Sequence, residues 1–100
     1  MNFKTVVPQP IRRRIASWLL PRRLVIEVYQ RLHVDLAANP DQLLGNVVAP
    51  YAGRQYSFTL TEGPPPAYRH FFLFVVERRE AEQFLIVLAC SHTVDASGLN

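Results

Sequence analysis

The sequence is short of cysteine, of long apolar runs and of the motifs that hold metals or phosphates. Its single cysteine, Cys90, excludes an intramolecular disulfide framework and suits a reducing compartment. The longest apolar candidate, residues 71–76, stops at Glu77, far short of the roughly 20 residues a membrane span needs. No charged-then-apolar leader opens the chain, and Pro8, Pro10 and Arg12-Arg13-Arg14 would break one. A soluble, cytoplasmic protein with no membrane partner is the expectation. His33, His70 and His92 stand apart, with no Cys or His at ligand spacing, so no metal or other cofactor is expected. A glycine-rich phosphate loop and a Gly-x-Ser-x-Gly elbow are both missing.

What is present is an ordinary folded composition, 49% hydrophobic and 19% charged in 100 residues, which reads as one domain over 1–100. The net charge is +3 and unevenly placed. Residues 1–54 carry Lys4, Arg12, Arg13, Arg14, Arg22, Arg23, Arg31 and Arg54 against Glu27, Asp35 and Asp41. A basic half of this kind favours an anionic partner such as nucleic acid or an acidic protein, with a solvated helix face as the equal alternative.

The chain is organised around residues 68–92, YRHFFLFVVERREAEQFLIVLACSH. Two apolar runs, 71–76 and 84–89, are rich in aromatic and β-branched residues and have the length of strands. The charged connector 77–82 makes them an antiparallel hairpin. Neither run alternates cleanly, which predicts cover on both sheet faces and burial of all of residues 71–76. Upstream, residues 3–7 read as a first strand ended by Pro8. Ile11, Ile15, Trp18 and Leu19 then form one helical stripe up to Pro21. Val25, Val28, Tyr29, Leu32 and Leu36 form a second, which should stop by Asn39 because Pro40 follows. Residues 40–54 read as loop with one helical turn at 41–44, and 55–61 as a strand with Tyr56, Phe58 and Leu60 on one face. Gly63-Pro64-Pro65-Pro66 is a stiff connection, and 96–100 a frayed tail. An α+β fold follows: an N-terminal strand, a helical hairpin, then a three-stranded antiparallel run forming one sheet, with the helices packed on one face.

Candidate chemistry is sparse. Cys90 and His92 lie two residues apart on a strand without an evident third group, so a buried structural cysteine is the better reading than a nucleophile. If the hairpin is symmetric about its connector, Arg69 lies opposite His92 and Glu77 opposite Phe84, with Tyr68 alongside. A guanidinium that can hold a phosphate, an imidazole that titrates near neutrality and a phenol would then share one end of the sheet, a set suited to phosphodiester cleavage. The alternative is that Arg69 and His92 are strand-end residues at the water boundary.

The layout of residues 3–95 resembles the RelE/ParE toxin superfamily of bacterial type II toxin–antitoxin systems. The matching pieces are residues 3–10, the helices with their Asn39-Pro40 stop, Tyr68-Arg69 followed by an apolar strand, and the last strand ending Val87-Leu88-Ala89-Cys90-Ser91-His92. The resemblance implies a toxin held inactive by a cognate antitoxin, and most directly a ribosome-dependent mRNA endonuclease. Arg69 would bind the scissile phosphate, His92 would move the proton with Tyr68 nearby, and Arg12, Arg13, Arg14, Arg22 and Arg23 would contact nucleic-acid backbone. The alternatives are a ParE-like DNA gyrase inhibitor and a catalytically degenerate interaction module, with a homodimer as the free form. The sequence departs from the family after His92, where Thr93-Val94-Asp95 supplies an acid and no base.

Overall fold

Alternation of buried and exposed residues along the last two strands decides the architecture. In the computed structural model, which describes residues 2–64 and 68–95, they are β4, Tyr68–Arg79, and β5, Phe84–Asp95, paired antiparallel. Before them come β1 (Lys4–Val6), α1 (Gln9–Ser17), α2 (Arg22–Gln30), α3 (Pro40–Leu43), β2 (Val47–Val48) and β3 (Gly53–Glu62). The five strands form one sheet in the order β1-β5-β4-β3-β2, antiparallel except for the β1–β5 pair. The α+β reading holds, with an extra short strand, β2, in the segment expected to be loop.

The helices cover one face. Pro10 stands in the first turn of α1, where its missing N–H costs nothing, and α1 buries Ile11 and Ile15. Helix α2 buries Leu24 and Val28 and runs on as a π-helical stretch, Arg31–Leu36, that buries Leu32 and Leu36. Two outside hydroxyls bond that stretch: Thr5 Oγ1 donates to the Leu32 carbonyl at 2.6 Å and Tyr56 donates to the Arg31 carbonyl at 3.3 Å. These side chains meet Tyr56, Leu60, Phe72, Phe74, Val76, Leu85 and Val87 from the sheet in one core. Leu19, expected on the α1 stripe, is 87% exposed. The helix ends at Ser17, and Leu19 adopts φ 53°, which turns it away from the core.

The second sheet face lacks the expected cover among the described residues. Phe72, Phe74 and Val76 are buried beneath the helices, and Val75 is buried beside Gly53. Phe71, however, is 38% exposed, and Leu73 is half-buried. Pro65 and Pro66 of the expected stiff connection and the frayed tail at 96–100 lie outside the described residues.

The hairpin register also differs from the symmetric one. Glu77, Arg78 and Arg79 join the ladder, so the turn shrinks to residues 80–83 and Arg79, not Glu77, stands opposite Phe84. Arg78 is fixed there by Asp41 and Glu80 and lies over the Phe3 ring at 4.7 Å. Farther along, the register shifts once more between Val75 and Val76, where Leu88 has no partner in the ladder. The shorter turn moves the register by two, which preserves the faces. The bulge moves it by one, which exchanges them.

Candidate functional site

That bulge decides which residues can act together. His92 stands opposite Phe72, and Arg69 stands opposite Asp95 and Thr61. Directly opposed residues share a face and alternate residues change it, so His92 joins the helix-covered face and Arg69 the other. The expected Arg69–His92 pair is therefore not formed. Tyr68, opposite Glu62, keeps to His92's face but is exposed at the strand end.

In place of the arginine, the structure brings His70 and Glu62 to His92. His70 Nδ1 and His92 Nε2 lie 2.9 Å apart, and His70 Nε2 is 2.8 Å from Glu62 Oε1. His70 is buried, Glu62 and His92 are half-buried, and the three form a line from the half-exposed carboxylate through the core edge to the second imidazole. His92 is also packed between rings: Trp18 at 5.1 Å, Phe72 at 5.0 Å and His70 at 5.2 Å between centroids. Burial, and then the neighbouring His70, hold the His92 pKa below its ordinary 6.5.

The proton bookkeeping follows from the two ring nitrogens of each histidine. With Glu62 as the carboxylate, His70 donates Nε2–H to it, and one proton is shared between His70 Nδ1 and His92 Nε2. The pair takes one additional proton without losing a contact. A second would set two N–H groups head to head. Charge gained at His92 can pass to His70 and come to rest beside Glu62. The two nitrogens of His70 point in opposite directions, so a single ion cannot take both. Among the described residues no group of three or more His, Cys, Asp or Glu is arranged to hold a metal ion.

The predicted nucleic-acid contacts Arg12, Arg13, Arg14, Arg22 and Arg23 are all exposed. Of these, Arg14 comes close enough to β5 for its charge to act on the Cys90 thiol, whose pKa burial nevertheless pushes up. Cys90 is buried and free, opposite Phe74 in the ladder, as a structural cysteine should be. His70 and Glu62 escaped sequence reading because they lie eight residues apart across the proline connection. The usable signal was that both, like His92, sit at even positions near strand ends.

The sequence itself matches no protein-family model and no curated protein. The fold does have a solved counterpart. A chain of the toxin–antitoxin complex RelBE2 from Mycobacterium tuberculosis superimposes with a TM-score of 0.65 over 93% of this chain and 100% of its own length, at 14% identity. The two chains share one fold. In this fold the Glu62–His70–His92 line lies on the helix-covered face, at the sheet end remote from the β4–β5 turn. Among the described residues no helix is long and apolar enough to cross a membrane.

Proposed function

We propose that this chain is the toxin of a type II toxin–antitoxin pair, an endoribonuclease that cuts ribosome-bound messenger RNA and is silenced by a cognate antitoxin. The observation that carries this reading is the hydrogen-bonded line Glu62–His70–His92. RNA supplies its own nucleophile, the 2′-hydroxyl, so the protein's task is to move a proton and to hold charge. His92, kept neutral at physiological pH by its lowered pKa, accepts the 2′-hydroxyl proton at Nδ1. The 2′-oxygen then attacks phosphorus, and the bond to the 5′-oxygen breaks, that oxygen taking a proton from solvent. As His92 gains charge, its Nε2 proton passes to His70 and the positive charge settles beside Glu62. Arg14, whose charge reaches Cys90 on the strand that also carries His92, is a candidate for phosphate contact, with Arg12, Arg13, Arg22 and Arg23 along the backbone path. Arg69 takes no part in the transfer.

The test is to incubate the purified protein with ribosomes programmed with a defined message. Cleavage by the wild type should fall by about 10²–10⁴-fold in His92→Gln, with Arg69→Ala nearly unaffected. An intact message with the wild-type protein, together with growth arrest that survives His92→Gln, would remove the enzyme reading. A binding module of the gyrase-inhibitor kind is the second reading. It is favoured by the open sheet face, where Ser57, Thr59, Phe71, Leu73, Ser91 and Thr93 line a groove of about 430 Å³.

A further inference from the structure

β1 is an edge strand, and its outer side is only partly closed. The Lys4 N–H donates to the Gln83 carbonyl at 2.9 Å, so Lys4 and Val6 turn their backbone groups to β5. Phe3, Thr5 and Val7 turn theirs outward. At one end the Phe3 N–H donates to the Ala37 carbonyl at 3.0 Å, and at the other the Val7 carbonyl accepts from Arg12 Nε at 2.9 Å. Among the described residues the rest of this row, the Phe3 carbonyl, the Thr5 N–H and carbonyl and the Val7 N–H, has no hydrogen-bond partner. The row opens onto a hollow of about 450 Å³ beside β1, lined also by Arg12 and His33. Thr5 is only 4% exposed, so its outward backbone is poorly hydrated as well as unbonded, which costs stability until something bonds it.

The charges flanking this edge have one sign. Thr5 sends its hydroxyl to the helical layer, so its neighbour Lys4 projects from the open sheet face, while Arg12 lies on the helical side. No carboxylate is among the described residues lining the hollow. A small anion cannot meet both cations, because the sheet stands between them. A β-strand can, since its side chains alternate between the two faces. Partner positions opposite Lys4 and Val7 lie three residues apart and so fall on opposite faces, the first beside Lys4 and the second beside Arg12. A second copy of this chain would instead set the same cations against each other.

We infer that β1 accepts an extended acidic segment of a partner protein as an added strand, with carboxylates three residues apart meeting Lys4 and Arg12. Backbone bonds to Phe3, Thr5 and Val7 hold the segment, and the carboxylates select it and fix its register. The edge takes no part in the Glu62–His70–His92 line, so strand addition does not depend on RNA cleavage.

The probe is a short blocked peptide, acetyl-Thr-Glu-Val-Val-Glu-Thr-amide, titrated into the isotope-labelled full chain and followed by NMR. Saturable shifts are expected at Thr5 and Val7, with slowed hydrogen exchange of the Thr5 amide. The same peptide with lysine in place of both glutamates should not bind. Nor should the acidic peptide N-methylated along its backbone, which keeps the charges and removes the donors. Lys4→Gln and Arg12→Gln should each weaken the acidic peptide a few-fold, and Arg22→Gln not at all. Thr5→Val loses only the hydroxyl and should bind as the wild type does. Thr5→Pro deletes the outward N–H and no ladder bond to β5, and should not bind. If Thr5→Pro fails to fold, the N-methylated peptide makes the same comparison from the partner's side. No saturable binding, binding of the lysine or N-methylated peptide as tight as that of the acidic one, or shifts that spare Thr5 and Val7 would each overturn strand addition. Shifts at Thr5 and Val7 that grow with protein concentration alone would put a second copy on the edge and overturn the acidic partner.

Discussion

His70 and His92 come from adjacent strands but are not directly opposed; they meet on a diagonal, Nδ1 to Nε2 at 2.9 Å, because Phe72 rather than His70 stands across from His92. The diagonal lets one imidazole anchor the other while leaving His92 at the edge of the core, half-exposed.

A first prediction concerns that contact. Followed by NMR through its ring protons, His92 should titrate below the ordinary 6.5 of a histidine. His70→Gln removes the second of the two causes that lower it, the neighbouring His70 ring, and should move the His92 pKa upward without restoring it fully, because burial remains. A His92 that titrates at or above 6.5 in the intact protein would contradict the geometry of the pair.

Stability should depend on pH with a definite sign. His33 and His92 both have folded pKa values below 6.5, so between those values and 6.5 the unfolded chain binds more protons than the native one. Unfolding free energy therefore rises with pH across that window, is fully present above about 6.5, and is lost as pH falls through the folded values. Urea unfolding at several pH values should show this slope, and the double variant His33→Gln with His92→Gln should flatten it. An unchanged slope in the double variant would place the dependence elsewhere.

Most of the fold was legible in the residues, and most of the site was not, for one physical reason. Helix stripes such as Ile11 and Ile15, or Val28, Leu32 and Leu36, are local periodicities, and proline marked the joints at Pro21 and Pro40. The site depends on register. A symmetric hairpin put Arg69 beside His92, whereas the bulge at Leu88, invisible in an unbroken apolar run, turned His92 to the other face. Likewise, unbroken hydrophobicity in 71–76 suggested two covered faces, yet Phe71 is left at an open one. The basic character of α1 and the start of α2 was plain from sequence, but the setting of Arg12 between the Val7 carbonyl and the Tyr29 ring needed the crossing of β1 and the helices.

Gly53 offers a packing test at the start of β3. A Cβ there would come to 2.9 Å from Val75 Cγ1 and 3.0 Å from the Val76 carbonyl carbon and oxygen. Backbone atoms of a central strand cannot step aside cheaply, so Gly53→Ala should cost about 1–3 kcal/mol. In a chain this size each kcal/mol lowers Tm by roughly 4–8 °C. A thermal melt within a degree of wild type would show that β3 can move away from β4 at no cost.

Trp18 provides the test that separates packing from chemistry. It sits past the end of α1, half-buried, with Phe72 at 5.8 Å, Phe74 at 6.5 Å and His92 at 5.1 Å between ring centroids. Trp18→Ala removes a large aromatic surface from a site that is only partly closed, so the loss should be about 2 kcal/mol, under the range for a full core aromatic. It also lets water reach His92, and since burial is the leading cause of the lowered pKa, the His92 titration should move up towards 6.5. Trp18→Phe should keep more of both properties. If His92 moves protons during RNA cleavage, the acid limb of the pH–rate profile must shift upward with it in Trp18→Ala, while the Glu62 and His70 hydrogen bonds remain in place. A stability loss of the expected size with an unmoved acid limb would leave Trp18 as packing alone and take His92 out of the proton-transfer step.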